Sequence, residues 1–413
     1  MQPILPRHIR PNLVKALRDS RVVGLLGPRQ AGKSTLVRSV AELDHPAHYV
    51  TLDDRVTREL AREDPTALLA SHERLAIDEV QRAPDLLLAI KQVVDLDPSP
   101  GRFLLTGSAN VLTHPRIADA LPGRVDYMTL WPLSQGEVAK RAPSFLEKAF
   151  SGEDVTVEDA PVGRGEYAER VVAGGFPEAL EASTARRRRF FASYVDSLLG
   201  REVEELGSVR DPAASSRVLR LAAARSAALT NLSAIGGELG IDHKTVGNHL
   251  HALEQLFLLI QLPAWHANLG HRVVRSAKLH VADTGMLCAL IGADAKKLAE
   301  DGGLAGSVFE TFAVTELMRQ ASASDLAPEL SFHHYRDQPG NEVDLVIERA
   351  NGDLVGIEVK ATATPRPRDA SGLKLLRDKL GDPFRSGFLL HLGPTQLPLG
   401  DRLSALPLAA LWS

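Results

Sequence analysis

Through the first third of the chain, short apolar runs alternate with amphipathic stretches. Val22 to Leu26, His48 to Leu52, Leu75 to Ile77, Phe103 to Thr106 and Val125 to Leu130 read as strands. That rhythm predicts a parallel sheet with crossover helices. From about Pro161 the strand signal fades and helical periodicity runs to Leu262, with breaks expected at Gly174-Gly175 and Gly236-Gly237. After about Gly270 the pattern is mixed: a helix over Ser307 to Arg319, then alternating strands on either side of Asn351-Gly352, a hairpin signal. Three units are expected, an α/β domain over 1–160, a helical domain over 161–270 and a second α/β domain over 271–413.

A chain of 413 residues is too long for one ordinary core, and 44% hydrophobic with 24% charged residues is a globular composition. The formal net charge of -4 excludes coating of nucleic acid by bulk charge. DNA binding would need local basic surfaces, of which Arg186 to Arg189 is one, with Arg187 the candidate contact. The single cysteine, Cys288, excludes a disulfide framework. With no apolar leader and no long apolar stretch, no membrane role and a cytoplasmic location are expected.

Gly27-Pro28-Arg29-Gln30-Ala31-Gly32-Lys33-Ser34 satisfies the whole G-x-x-x-x-G-K-[ST] pattern between a strand and a helix opening at Thr35. Its glycines let backbone N–H groups turn toward phosphates, and the helix N-terminus adds positive potential. ATP is the expected ligand of Gly27 to Thr35, with Lys33 on the β and γ phosphates and Ser34 on Mg²⁺. Leu75 to Glu79 is a buried strand ending in two acids, Asp78 to hold Mg²⁺ and Glu79 to polarise the attacking water. A third strand ends in small hydroxyls; Ser108 is the choice for sensing the γ phosphate, with Thr106 the alternative. Arg124, before the next strand, is either positioned to stabilise the transition state of a neighbouring subunit or an ordinary surface arginine.

Together with Asp78-Glu79-Val80-Gln81, Thr106-Gly107-Ser108, Leu121 to Arg124, Leu130-Trp131-Pro132-Leu133-Ser134 and Gly174-Gly175-Phe176-Pro177, this loop resembles AAA-type ATPases related to the archaeal ATPase family. The resemblance implies a lid with a winged-helix segment and an uncharacterised C-terminal domain. It also implies Gly175 and Pro177 near the nucleotide base, Arg124 as arginine finger with Arg201 second, and a homo-oligomer such as a hexameric ring.

In the middle unit, Leu232 to Leu239, Gly240, then Asp242 to Leu256 reads as helix, turn, helix, with Val246, Leu250 and Leu253 inward. His243, Lys244, Asn248 and His249 are expected outward, able to meet phosphate or base edges, with Arg272 and Arg275 on a following wing. The same unit could serve only as a packing lid.

On the C-terminal hairpin, Val343, Leu345 and Ile347 alternate with Asp344 and Glu348, and Val355, Ile357 and Val359 with Glu358 and Lys360. Folding about Asn351-Gly352 brings Asp344, Glu358 and Lys360 together, a set suited to metal-dependent phosphodiester cleavage. Asp344 with Glu358-Val359-Lys360 resembles the PD-(D/E)XK nuclease signature, with Glu310 as an additional acid and Val343 where a proline often stands. This resemblance implies a restriction-endonuclease-like domain in which Asp344 and Glu358 hold the metal. Two functions remain open at this level: an ATP-driven enzyme acting on branched or broken DNA, and a regulatory ATPase whose C-terminal domain is a non-cleaving scaffold.

Overall fold

The computed structural model describes residues 5–107, 123–157, 161–205, 211–268, 270, 272, 275–337 and 340–413. Its first five strands are β1 (Val22–Leu26), β2 (His48–Thr51), β3 (Leu75–Asp78), β4 (Phe103–Gly107) and β5 (Val125–Thr129). They form one wholly parallel sheet in the order β2-β3-β4-β1-β5. Helices α1 (Arg10–Asp19), α2 (Lys33–Leu43), α3 (Arg55–Glu63), α4 (Pro65–Ala70) and α5 (Leu86–Leu96) cover it. Alternate strand residues supply the two cores: Val22, Ile77, Phe103 and Leu105 pack with α3 to α5, while Val23, Leu25, Ala76 and Leu104 pack with α1 and α2. Burial on both faces is why these strands read as continuous apolar runs.

Helices α6 (Gln135–Ala139) and α7 (Phe145–Ser151) follow. Phe145 meets Phe388 with ring centroids 5.1 Å apart, so α7 packs on the C-terminal sheet although it lies within the expected 1–160 unit. The middle of the chain contributes α8 (Arg164–Ala173), α9 (Pro177–Leu180), α10 (Thr184–Glu205), α11 (Pro212–Ala224), β6 (Ala228–Leu229), α12 (Leu232–Leu239), α13 (His243–Gln255), β7 (Leu259–Leu262) and β8 (Lys278–Val281). Two expectations are corrected here. Gly236 and Gly237 lie inside α12, which instead ends at Gly240 with φ 67 in the left-handed region that glycine favours. The boundary expected at 270/271 falls inside an antiparallel sheet of order β6-β8-β7. The two-residue strand β6 is too short to leave a periodic signal.

After α14 (Thr284–Ile291) and α15 (Ala295–Glu300) comes α16 (Gly302–Ala323), longer than the Ser307 to Arg319 expected. The Asp301 carboxylate accepts from the N–H groups of Gly303 and Leu304 and starts the helix ahead of two poor helix formers. Strands β9 (Leu330–Arg336), β10 (Glu342–Arg349) and β11 (Leu354–Lys360), helix α17 (Ser371–Leu380), and strands β12 (Phe384–His391), β13 (Leu397–Gly400) and β14 (Leu403–Pro407) complete the chain. The sheet order is β13-β14-β12-β11-β10-β9, with β11 parallel to β12 and antiparallel to β10. Strict alternation on β10 fails: Val343 and Val346 share one core cluster while Leu345 and Ile347 share another. A register shift between Val343 and Val346, the stretch that holds Asp344 and Leu345, accounts for it.

The middle and C-terminal segments share a core that runs from Phe145 to Trp412. One buried ion pair ties this body to the parallel-sheet domain. Arg319 on α16 donates to Asp283 Oδ2 at 3.0 Å and to the Leu133 carbonyl at 3.1 Å. Asp283 Oδ2 also accepts from Gly175 N at 2.7 Å, and Leu133 N donates to Gly175 O at 2.7 Å. Gly174 and Gly175 permit this approach, because a Cβ on Gly174 would lie 2.3 Å from Asp283 Oδ1 and one on Gly175 2.4 Å from Leu133 O. Among the described residues no helix is long and apolar enough to cross a membrane.

Asp283→Ala removes the carboxylate bonded to a guanidinium that is itself 4% exposed, and leaves Gly175 N without its acceptor. Equilibrium unfolding in urea is expected to show a loss of about 3–5 kcal/mol. A loss below about 1 kcal/mol would show that the joint is held by packing alone.

Candidate functional site

The strand order places β4 between β1 and β3, so the loop after β1 and the acids after β3 flank Thr106, which pairs with Leu25. The loop from Gly27 to Gly32 carries positive φ at Gly27 (145), Gln30 (59) and Gly32 (99). Gly27 has no substitute, since a Cβ there would lie 2.1 Å from the Leu130 carbonyl. Lys33 is buried and its Nζ donates to the carbonyls of Gly27 at 2.8 Å and Pro28 at 2.7 Å, within its own loop. Ser34 Oγ donates to Asp78 Oδ1 at 3.1 Å. Thr106 Oγ1 donates to the same Asp78 oxygen and accepts from Glu79 N at 3.1 Å. Tyr49 OH donates to Asp78 Oδ2 at 2.7 Å, and burial, then this bond to Asp78, pushes the phenol up to about 12. Glu79 has φ 59, unusual for a residue with a side chain, and its Oε2 accepts from Gln81 Nε2.

Three supporting residues carried no sequence signal that marked them. Arg7 donates to the Ala31 carbonyl and the Trp131 carbonyl, each at 2.6 Å, and to Glu137 at 3.1 Å, pinning the loop from the chain's N-terminal side. Tyr194 OH on α10 reaches the Arg29 carbonyl at 3.3 Å, and Tyr49 lies under the Arg38 guanidinium at 4.5 Å. Arg124 sits where β5 begins, at the end of the sheet opposite the loop, with Nε 2.5 Å and Nη2 3.1 Å from the Asp95 carboxylate. Ser108 and the Arg201 side chain lie outside the described residues. Gly175 is fixed at the buried joint above, and Pro177 is the exposed first residue of α9.

Several residues expected to face DNA are committed elsewhere. Arg187 is buried, and its guanidinium donates to the Ala179 and Leu180 carbonyls at the end of α9. His249 is 2% exposed, with Nδ1 2.8 Å from Ser215 Oγ. Arg272 forms a two-point ion pair with Glu348 at 2.5 and 2.9 Å and lies over the Trp265 ring. Arg275 donates to the Arg336 carbonyl. The segment between β7 and β8 is therefore tied to β9, to which Trp265 N also donates through His334 O. His243, Lys244 and Asn248 remain exposed on α13.

The C-terminal hairpin does bring its acids and lysine together. Val359 N donates to Asp344 Oδ2 at 2.9 Å, and Lys360 Nζ to Glu358 Oε1 at 2.6 Å. The surprise is Lys278 on β8, 2% exposed, whose Nζ lies 2.8 Å from Glu310, 2.5 Å from Glu342 and 3.3 Å from Asp344. Burial opposes its ammonium, yet Asp344, Glu310 and Glu342 outweigh burial and raise its pKa. Burial, then the Asp344 charge, raises Glu310 well above the carboxylate range and pushes Glu358 up to about 8. A cavity of about 600 Å³ opens over Glu310, Asp344 and Lys360, with Thr362, Arg366 and Arg368 at its walls. Of the two acids expected to hold a metal, Asp344 receives the Lys278 ammonium and Glu358 receives Lys360; among the described residues no group of three or more His, Cys, Asp or Glu is arranged for a metal ion.

The parallel sheet and its loop define a P-loop ATPase of the AAA class, and the "AAA domain" family pattern matches residues 19–139. Residues 164–297 and 305–411 match two families described as domains of unknown function, DUF8612 and DUF4143. The chain belongs to the family of the uncharacterized protein Rv2008c of Mycobacterium tuberculosis, being 31% identical over 406 residues that cover 97% of this chain and 83% of that one. The uncharacterized protein Mb2031c of Mycobacterium bovis matches at the same level. Among solved structures, a variant of Thermotoga maritima RuvB aligns at 22% identity over 62% of this chain and 89% of that one, with a TM-score of 0.29.

Three imidazoles on β8 and β9, His280, His333 and His334, are buried. Burial first, reinforced by neighbouring cations, depresses His280 to about 3 and His333 to about 4, and burial depresses His334 to about 4 despite its Ser276 carbonyl partner. Below the ordinary value of 6.5 the unfolded chain takes up protons that these buried imidazoles refuse. Stability is therefore expected to be full above pH 6.5 and to fall toward about pH 4. Melting temperatures at about pH 7.5 and about pH 5, at constant ionic strength, check this; equal values would remove the histidines from the balance.

Proposed function

We propose that this chain binds and hydrolyses ATP with Mg²⁺ at the Gly27 to Thr35 loop, and couples that cycle to DNA held on the exposed face of α13. The carrying observation is the pair Ser34 Oγ and Asp78 Oδ1, 3.1 Å apart beneath a loop whose lysine rests on neutral carbonyls. A hydroxyl and a carboxylate are hard oxygen donors of the kind Mg²⁺ selects, and loop N–H groups suit phosphate. When bound, Mg²⁺ would offset charge on the transferring phosphoryl group.

Lys33 leaves the Gly27 and Pro28 carbonyls for the β and γ phosphates, an exchange of neutral acceptors for charged ones that favours the ligand. Glu79 leaves Gln81, orients a water and accepts its proton. Thr106 holds Asp78 and the Glu79 backbone in fixed relation, which suits it, rather than a direct phosphate contact, to keeping the two acids aligned. Arg124, at the end of its own sheet away from the loop, serves a neighbouring copy in a homo-oligomer.

The order α11, β6, α12, α13, β7, β8 with a sheet of order β6-β8-β7 supports a winged-helix reading of residues 212–281, with α13 as its recognition helix. His243, Lys244 and Asn248 then meet the nucleic acid, while the wing, bound to β9, does not. The order α16, β9, β10, β11, α17, β12 with Asp344 and Glu358-Val359-Lys360 on adjacent strands supports a nuclease-like C-terminal domain. The Lys278 contacts favour the second reading of that domain, a scaffold that does not cleave.

Glu79→Gln is expected to lower kcat about a hundredfold or more while ATP binding persists; unchanged turnover would take Glu79 out of its role. Lys244→Ala is expected to weaken duplex binding evenly across sequences and to reduce the salt slope by about one. Full retention of affinity and slope would leave α13 a packing lid and the ATPase a nucleotide-driven switch.

A further inference from the structure

Lys278 stands on the central strand of its sheet, its backbone paired with Leu262 on β7 and Leu229 on β6. Its side chain is thus delivered by a strand that both neighbours fix. An ammonium has three N–H donors, and here three carboxylates receive it, from Glu310 on α16 and from Glu342 and Asp344 on β10. The remaining Asp344 oxygen accepts from Val359 N. Glu358 gives one oxygen to Lys360, while its Oε2 is buried and, among the described residues, has no hydrogen-bond partner. An acceptor left in that condition beside an aqueous cavity is costly unless a cation or proton meets it.

A divalent ion on these acids would need the oxygens that Lys278 holds, and an ammonium locked within about 3 Å of them repels it strongly. We propose that Lys278 is the resident cation of this cluster, filling the place of a divalent metal, so that the folded chain takes no metal through Asp344 until the amine is withdrawn or removed. The proposal rests on the nuclease-like reading only for the expectation that these acids are metal ligands. The cavity above the cluster keeps Lys360, Arg366 and Arg368 at its walls, so an anionic phosphodiester could be held there without the ion that its cleavage requires.

The test is Mn²⁺ binding to nucleotide-free full-length protein, followed by the electron paramagnetic resonance signal of free Mn²⁺. Four proteins are compared: wild type, Asp344→Asn, Lys278→Met and the Lys278→Met/Asp344→Asn double variant. Wild type and Asp344→Asn are expected to give the same isotherm. Lys278→Met is expected to gain a site about tenfold tighter than any in wild type, lost again in the double variant. Binding by wild type that Asp344→Asn abolishes would overturn the lock while leaving the nuclease-like reading intact. Failure of a folded Lys278→Met to gain a site would overturn both, since the acids would then be no metal ligands at all. Should Lys278→Met not fold, Lys278→Gln replaces it, and the comparison of wild type with Asp344→Asn still decides against the lock if the two differ.

Discussion

The buried pair between Asp283 and Arg319 is the constraint on which the arrangement of the molecule depends. It lies where four segments meet: the exit from β5 at Leu133, the joint at Gly175, the end of β8 at Asp283, and α16. Two charges taken from water need their remaining hydrogen-bonding positions filled. Here the carboxylate receives a backbone N–H, and the guanidinium donates to two backbone carbonyls besides. The backbone groups so used belong to the segments being joined, so the pair cannot be satisfied unless the parallel-sheet domain sits correctly on the rest. Asp283 also starts α14 through Met286 N, which makes one side chain both a helix cap and a junction.

Two buried lysines give the chain two kinds of cationic centre. Lys33 rests on neutral carbonyls of its own loop, acceptors that compete poorly with phosphate. Lys278 rests on three carboxylates drawn from two elements, and leaving them would strand negative charge out of water. The first arrangement is made for exchange and the second for permanence. The same ammonium group thus has opposite kinetic characters, set by whether its partners are dipoles or charges and by whether they lie on a loop or on a sheet.

The sheet of the first domain was legible in the sequence because its three inner strands, β1, β3 and β4, are buried along their whole length and each helix presents one apolar face. The loop at Gly27 to Ser34 was legible for a different reason: phosphate chemistry demands those residue types at that spacing. The Asn351-Gly352 hairpin and its convergent Asp344, Glu358 and Lys360 also followed from period-two alternation. What escaped reading was set by long-range partners. Arg187 and Arg272 look like solvated arginines until the carbonyls of α9 and the Glu348 carboxylate are brought to them. His249 looks outward until Ser215 arrives. Lys278 carries no local mark at all, since a lysine ending a polar stretch before an apolar strand belongs by default on a surface. Its role is defined by Glu310, Glu342 and Asp344, which are remote in sequence, and the irregular register near Asp344 that shapes their site interrupts the very alternation from which β10 was inferred.

The order of those four residues along the chain has a bearing on biosynthesis. The lysine emerges from a ribosome before every one of its carboxylates. The small sheet of β6, β7 and β8 can close once residue 281 is out, with the amine still in water. Only the arrival of β10 lets that amine be enclosed. The nascent protein therefore carries on its surface an ammonium that is enclosed and paired only after translation has passed residue 344.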